Sequence, residues 1–167
     1  ALVSGGSVVA AASEERFTRQ KHDANYPRLA IDFCLRQAGI TLEQVDKVVF
    51  YERPSKKWTR ILASNLAQWP LSLPEFSASM KTWLGKKLWT KAILANRLGI
   101  DPGLISELDH HESHTAQAFL ASGFTESAIL VVDAVGEWST CSIGKGSWEN
   151  GKPMFEILQS SEYPHSL

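Results

Sequence analysis

Cysteine is scarce in this chain of 167 residues: Cys34 and Cys141 lie far apart and in no CxxC spacing. That gives no support to a thiolate metal cage or a disulfide framework. It fits a reducing, cytoplasmic compartment with both thiols buried and inert. No apolar run approaches the roughly 18 residues that a membrane span needs. The opening ALVSGGSVVAAAS lacks the basic n-region of a secretory leader, and Ser4, Gly5 and Gly6 interrupt it early; it reads as a hairpin. Charge of one sign is also missing. The formal net charge is -1, so no global field points to nucleic acid. There is no HExxH, which disfavours a metalloprotease, and no internal repeat or low-complexity tract. No methionine precedes Ala1, and the chain stops on Tyr163-Pro164-His165-Ser166-Leu167 with no helix stop or polar tail. Both ends are expected to be cuts in a longer protein.

What is present is ordinary globular composition, 44% hydrophobic and 21% charged. It suffices for one packed domain or for one domain and part of another. The near-neutral total hides an asymmetry. Between Ser55 and Leu98 stand eight basic residues and one acid, Glu75, so this segment carries +7 and the remainder -8. The same segment holds four of the six tryptophans, Trp58, Trp69, Trp83 and Trp89, with Pro70 and Pro74 in its middle. It reads as two or three amphipathic helices inserted into a parent domain. Trp inward and Lys outward is the favoured arrangement. A lid over an anionic substrate, or a foot on an anionic membrane, is the less favoured alternative.

Elsewhere the pattern is mixed. Ala1–Val3 and Val8–Ala12 read as a hairpin around Ser4-Gly5-Gly6-Ser7. A charged stretch runs from Glu14 to Asp23. A helix starts at Pro27, carries Ile31, Cys34, Leu35 and Ala38 on one face, and stops at Gly39. Val45–Tyr51 is a strand with a short buried run. Leu104–Leu108 is a strand leading to a histidine cluster, and Thr115–Ala121 continues as helix to Gly123. Ala128–Val132 is a strongly β-forming buried run. A sharp turn at Ala134–Gly136 leads to the strand Ser139–Ile143. Asn150-Gly151 then marks a hairpin before Met154–Gln159. The fold class is therefore α/β.

His110, His111 and His114 fall within five residues. On a helix, His110 and His114 share a face and can reach one point. Neutral imidazoles so placed are a matched pair of ligands for a borderline divalent ion. The pair His111 and His114 is the second choice. The bland alternative is one capping, one packed and one solvated histidine. A carboxylate from a nearby strand end would complete a site, and Asp133, closing a β run, is placed for that; its alternative role is the acceptor of an Asx-turn. Glu137 sits beside the same turn.

Four motifs, in order and at matching spacing, resemble one family. Glu14-Glu15-Arg16-Phe17-Thr18-Arg19 with Lys21-His22 is similar to the EERFTRxKH signature of the nodulation-protein and antibiotic O-carbamoyltransferases. His110-His111-Glu112-Ser113-His114 followed by Thr115–Phe119 resembles their HHxSHAASAF, and Val132–Trp138 resembles VDGxGEW. Pro164-His165-Ser166-Leu167 resembles the start of PHSLG. The likeness is weakest across 55–98.

The resemblance implies an actin-like, Hsp70-like ATPase (ribonuclease H-like) domain, cut at both ends and carrying a helical insertion. Residues 1–127 would be a first subdomain lacking its initial strand, and 128–167 the start of a second. A C-terminal YrdC-like domain, outside this chain, would make carbamoyl adenylate from carbamoyl phosphate and ATP. The first domain would then pass the carbamoyl group to a hydroxyl of a sugar, antibiotic or nodulation-factor-like acceptor. The resemblance assigns His110, His114 and Asp133 to a divalent metal, Fe(II), with a further Asp downstream. Arg19, Lys21 and Glu137 become candidates for substrate or phosphate contacts.

Three departures qualify this, one being that the further Asp and the YrdC-like domain are expected outside this chain. Ala134 stands where Gly is usual, which would cost roughly 1 kcal/mol if a positive φ were needed there. A His-Asp motif expected just before Ala1 lies outside the chain, so the fragment alone is expected to be inactive. A relative of the tRNA threonylcarbamoyl-transfer protein and a non-catalytic metal-binding module are the competing readings.

Overall fold

In the computed structural model residues 1–23, 25–85 and 87–165 are described. Lys86 and the last two residues of the Pro164–Leu167 motif lie outside that set. The chain divides into two compact units, Ala1–Asp46 and Lys47–Leu167.

In the first unit, β1 (Leu2–Ser4) pairs antiparallel with β2 (Ser7–Ala10), and Gly5 and Gly6 take the positive φ that the tight turn needs. A single helical turn, α1 (Glu15–Thr18), follows, where the sequence suggests only a charged stretch. Glu14, just before it, and Glu15, its first residue, both accept hydrogen bonds from the backbone. Glu14 accepts from the Leu29 and Ala30 backbone N–H groups at 3.1 and 2.8 Å. These are orphan donors at the start of α2 (Arg28–Ala38). Glu15 accepts from the His22 N–H at 2.7 Å, holding His22 at φ 56. Helix α2 buries Ala30 and Cys34 and ends on Gly39 at φ 65.

The second unit opens with β3 (Val48–Phe50), paired in parallel with β4 (Ile105–Glu107). Between them run α3 (Pro54–Ala67), α4 (Leu73–Gly85) and α5 (Thr90–Leu98), the expected helical insert. Pro54 occupies the first turn of α3, where its missing N–H costs nothing. Trp58 and Trp83 face each other at 5.9 Å, and Trp83 is buried. The all-inward arrangement fails for the other two. Trp69 is 57% exposed and Trp89 58%, because the one lies on the turn between α3 and α4 and the other on a short 3-10 turn after α4.

From β4 the chain enters α6 (His110–Ser122), then β5 (Glu126–Val132), β6 (Ser139–Glu149) and β7 (Lys152–Glu162). The three strands form an antiparallel sheet in the order β5-β6-β7. Asn150 at φ 52 and Gly151 at φ 74 make the β6–β7 turn expected of Asn-Gly. Both strands run longer than the hydrophobic pattern alone suggests.

Helix α6 turns His111, Thr115 and Phe119 inward at i, i+4, i+8, and Phe119 packs with Ile129 and Val131. Gly146 makes this possible, since a Cβ there would lie 2.6 Å from the Phe119 ring. Two expected buried runs are only half buried. Val49 on β3 is exposed, and on β5 Leu130 and Val132 face out while Ile129 and Val131 face in. The pleat sends alternate residues to opposite faces, and α6 covers one face.

Candidate metal centre

The parallel pair β3–β4 and the sheet strand β5 all deliver their carboxyl ends to one place. Leu108, just past β4, donates its N–H to the Phe50 carbonyl of β3 at 3.0 Å. Two residues on, His110 opens α6, so the expected i, i+4 pair falls on the first turns of a real helix. Asp133 follows directly on β5. Its backbone is fixed by an N–H donated to the Thr140 carbonyl at 2.9 Å, and Gly136 closes the turn by donating to Ser139 at 3.0 Å.

The side chains converge. His110 Nε2 lies 3.0 Å from Asp133 Oδ2 and 3.2 Å from His114 Nε2. The three ligand atoms all lie within 4.8 Å of one another. Asp133 uses its two oxygens differently: Oδ1 accepts from the adjacent Ala134 N–H at 2.7 Å, one residue short of the bond that defines an Asx-turn, while Oδ2 faces His110.

Proton counting shows what the cluster suits. A neutral imidazole carries one N–H. His110 Nε2 cannot donate to the carboxylate and to a second ring nitrogen with one proton. If it carries none, it faces Asp133 Oδ2 lone pair to lone pair. A divalent cation removes the conflict, because all three atoms then act as lone-pair donors. Adjacent ligands with bonds of roughly 2.1 Å sit roughly 3.0–3.4 Å apart; the 3.0 and 3.2 Å separations match. Two imidazoles and one carboxylate suit a first-row divalent ion and leave coordination positions open.

His111 is not part of this set. It is buried, and Ser142 Oγ lies 2.7 Å from its Nδ1. Burial, above all, lowers its pKa, so it is neutral at physiological pH. The pair His111 and His114 is therefore set aside as a ligand pair.

Gly136 packs against both rings: a Cβ there would lie 3.0 Å from His110 Cδ2 and 3.2 Å from His111 Cδ2. Ala134 does not take a positive φ, so the strain anticipated for an alanine in place of glycine does not arise.

Glu137 is buried and braces the same turn. It accepts from the Arg53 backbone N–H at the start of α3 and hydrogen-bonds to the Asp109 carboxyl. Burial first, then the Asp109 carboxylate, pushes its pKa up to about 7, against the pull of the Arg53 N–H. Burial works the same way on Asp109, but hydrogen bonds from Lys56 and Glu137 and the charges of Lys56 and Arg53 outweigh it and hold Asp109 below the usual range. Of the two carboxyls, Glu137 is the one that holds a proton more readily. Lys56 donates to Asp109 Oδ1, and Arg53 Nη2 lies 3.5 Å from Oδ2. Lys56, Asp109, His110, Glu137 and Trp138 help line a cavity of about 300 Å³.

Sequence reasoning missed Asp109, Lys56 and Arg53, whose only signal was the position of Asp109 directly before the histidines. Arg19 and Lys21 belong to the first unit, where both are exposed on the turn that Glu14 and Glu15 hold.

With this geometry in place, comparison with known proteins decides the family. Residues 1–166 match the family described as Carbamoyltransferase N-terminus. The chain belongs to that family. "Uncharacterized protein sll1178" of Synechocystis sp. is 44% identical over 176 aligned positions, covering all of this chain and 28% of that protein. "Nodulation protein NolNO" of Sinorhizobium fredii is 34% identical over 161, covering 95% of this chain and 22% of that protein. The chain thus spans about a quarter of the length of these curated relatives. Both His110–Phe119 and the Asp133 turn lie inside the matched region.

Proposed function

We propose that this chain is the N-terminal part of an O-carbamoyltransferase. In the whole protein the carbamoyl group of carbamoyl phosphate would pass, as carbamoyl adenylate made with ATP, to a hydroxyl of a sugar, antibiotic or nodulation-factor-like acceptor. An actin-like, ribonuclease H-like domain would hold the transfer site, and a YrdC-like domain elsewhere in the protein would form the adenylate.

One observation carries this reading: the residues that converge on a single point, His110, His114 and Asp133, lie within the family match. The donor set fits Fe(II). Carbamoyl transfer builds negative charge on the former carbonyl oxygen, and His110, His114 and Asp133 would hold a divalent ion that would supply the opposing charge.

The remaining residues position and orient. Ser142 fixes the His111 ring, which packs against Gly136 and keeps the Asp133 turn in register with α6. Glu137 ties that turn to Asp109 and to the start of α3. In the cavity, ionised Asp109 can accept a hydrogen bond from a ligand hydroxyl, and Lys56 can meet a ligand oxygen.

The test is an assay of the full-length protein with carbamoyl phosphate, ATP and a panel of hydroxylated acceptors. Acceptor-dependent carbamoyl ester formation, lost in His110→Ala, supports the reading. A full-length protein that makes carbamoyl adenylate yet passes it to no acceptor on the panel contradicts it.

A further inference from the structure

The turn joining α3 to α4 inverts the usual polarity of a folded surface. Its one buried residue is a serine. Ser72 Oγ donates to the Asn65 carbonyl at 2.6 Å, and its N–H donates to the Gln68 carbonyl at 3.2 Å. The large apolar residues point out: Leu66 is 66% exposed, Leu71 88% and Leu73 47%, together with Trp69. No ionisable residue occurs from Ile61 to Pro74.

The turn is firmly built. Trp69 donates its N–H to the Leu66 carbonyl at 3.2 Å, and Phe76 donates to the Ser72 carbonyl at 2.8 Å. Apolar side chains held outward on a hydrogen-bonded turn form a patch, not the scattered exposure common on soluble surfaces.

We propose that this turn inserts into the interface of an anionic lipid bilayer. Three features favour lipid over a protein partner. The patch offers Leu and Trp without charged groups to pair across an interface. Trp is the side chain that settles at headgroup depth. Positive charge stands behind the apolar tip at a suitable distance. Exposed Lys81 lies eight residues beyond Leu73, roughly 12 Å along α4, and Lys87 follows with Nζ 5.1 Å from the Trp83 ring. With the tip roughly 5–10 Å deep, those lysines stand near the headgroups, where they attract anionic lipid.

Flotation of the full-length protein with phosphatidylcholine vesicles, with and without phosphatidylglycerol, tests this. Wild type should float with the anionic vesicles and less so as salt rises. Trp69→Ser with Leu71→Ser should weaken partitioning by roughly tenfold or more. Both side chains are exposed, so the variant should keep the wild-type melting temperature. Lys81→Glu with Lys87→Glu should abolish the preference for anionic lipid. Three results overturn the proposal: wild type that stays unbound with both vesicle types, a double-serine variant that floats as well as wild type, or lipid-free self-association that the serine variant loses, which would make a second copy the occupant.

Discussion

Gly136→Ala probes how tightly the candidate metal centre is packed. The added Cβ would stand 3.0 Å from His110 Cδ2, 3.2 Å from His111 Cδ2 and 3.4 Å from His110 Cβ. Ordinary carbon contacts fall near 3.5–4.0 Å, so the His110 ring must retreat by roughly 0.5–1 Å. Its neighbour cannot take up the strain, because His111 is buried and tied to Ser142. Metal bonds tolerate only about 0.2 Å of misplacement. The expected result is a loss of metal affinity of roughly 10–100-fold, the range seen when a ligand's supporting contacts are disturbed. Overpacking should cost stability as well, about 1–3 kcal/mol. Calorimetric titration of a divalent ion into the full-length protein, paired with denaturant unfolding of the apo form, separates the two effects. Unchanged affinity in a folded Gly136→Ala protein would refute the packing argument.

Other outcomes follow from the same contacts. Below its ordinary value of 4.5, Glu137 is protonated in both folded and unfolded chains; between there and about 7 only the fold keeps the proton. Stability should therefore fall as pH rises through that window. Glu137→Gln keeps a neutral partner for Asp109 and Arg53 and should flatten the slope in unfolding curves taken at a series of pH values; parallel slopes would contradict the assignment. Phe119→Ala should cost about 3–5 kcal/mol in unfolding free energy. Gly146→Ala should destabilise the wild type but cost much less in the Phe119→Ala background, because the 2.6 Å clash disappears with the ring; equal costs in both backgrounds would argue against that contact.

The most legible part of the molecule was the pair of histidines, because helical periodicity alone fixes which face i and i+4 share. The Asn150-Gly151 turn and the Gly39 helix stop were legible for a similar reason: each requires a positive φ that few residues supply. Asp133 could be placed at a strand end, but its division of labour between two oxygens is a tertiary fact. Glu14 and Glu15 read as part of a charged motif, whereas they bond backbone N–H groups many residues away, and no local pattern encodes that. The Asp109–Glu137 pair was hidden because it joins the cap of α6 to the β5–β6 turn, 28 residues apart in sequence. The orientation of the tryptophans was misjudged at Trp69 and Trp89. Amphipathic periodicity governs side chains along a helix and says nothing about those on the turns between helices.

Whether His110, His114 and Asp133 hold one divalent cation is tested most directly by metal analysis and titration of the full-length protein, prepared anaerobically with Fe(II), beside His110→Ala/His114→Ala and Asp133→Asn variants. Wild type should bind an ion that the double variant loses and the Asp133→Asn variant holds more weakly. Wild type that takes up no ion, or a folded double variant that binds it as tightly as wild type, would contradict the account.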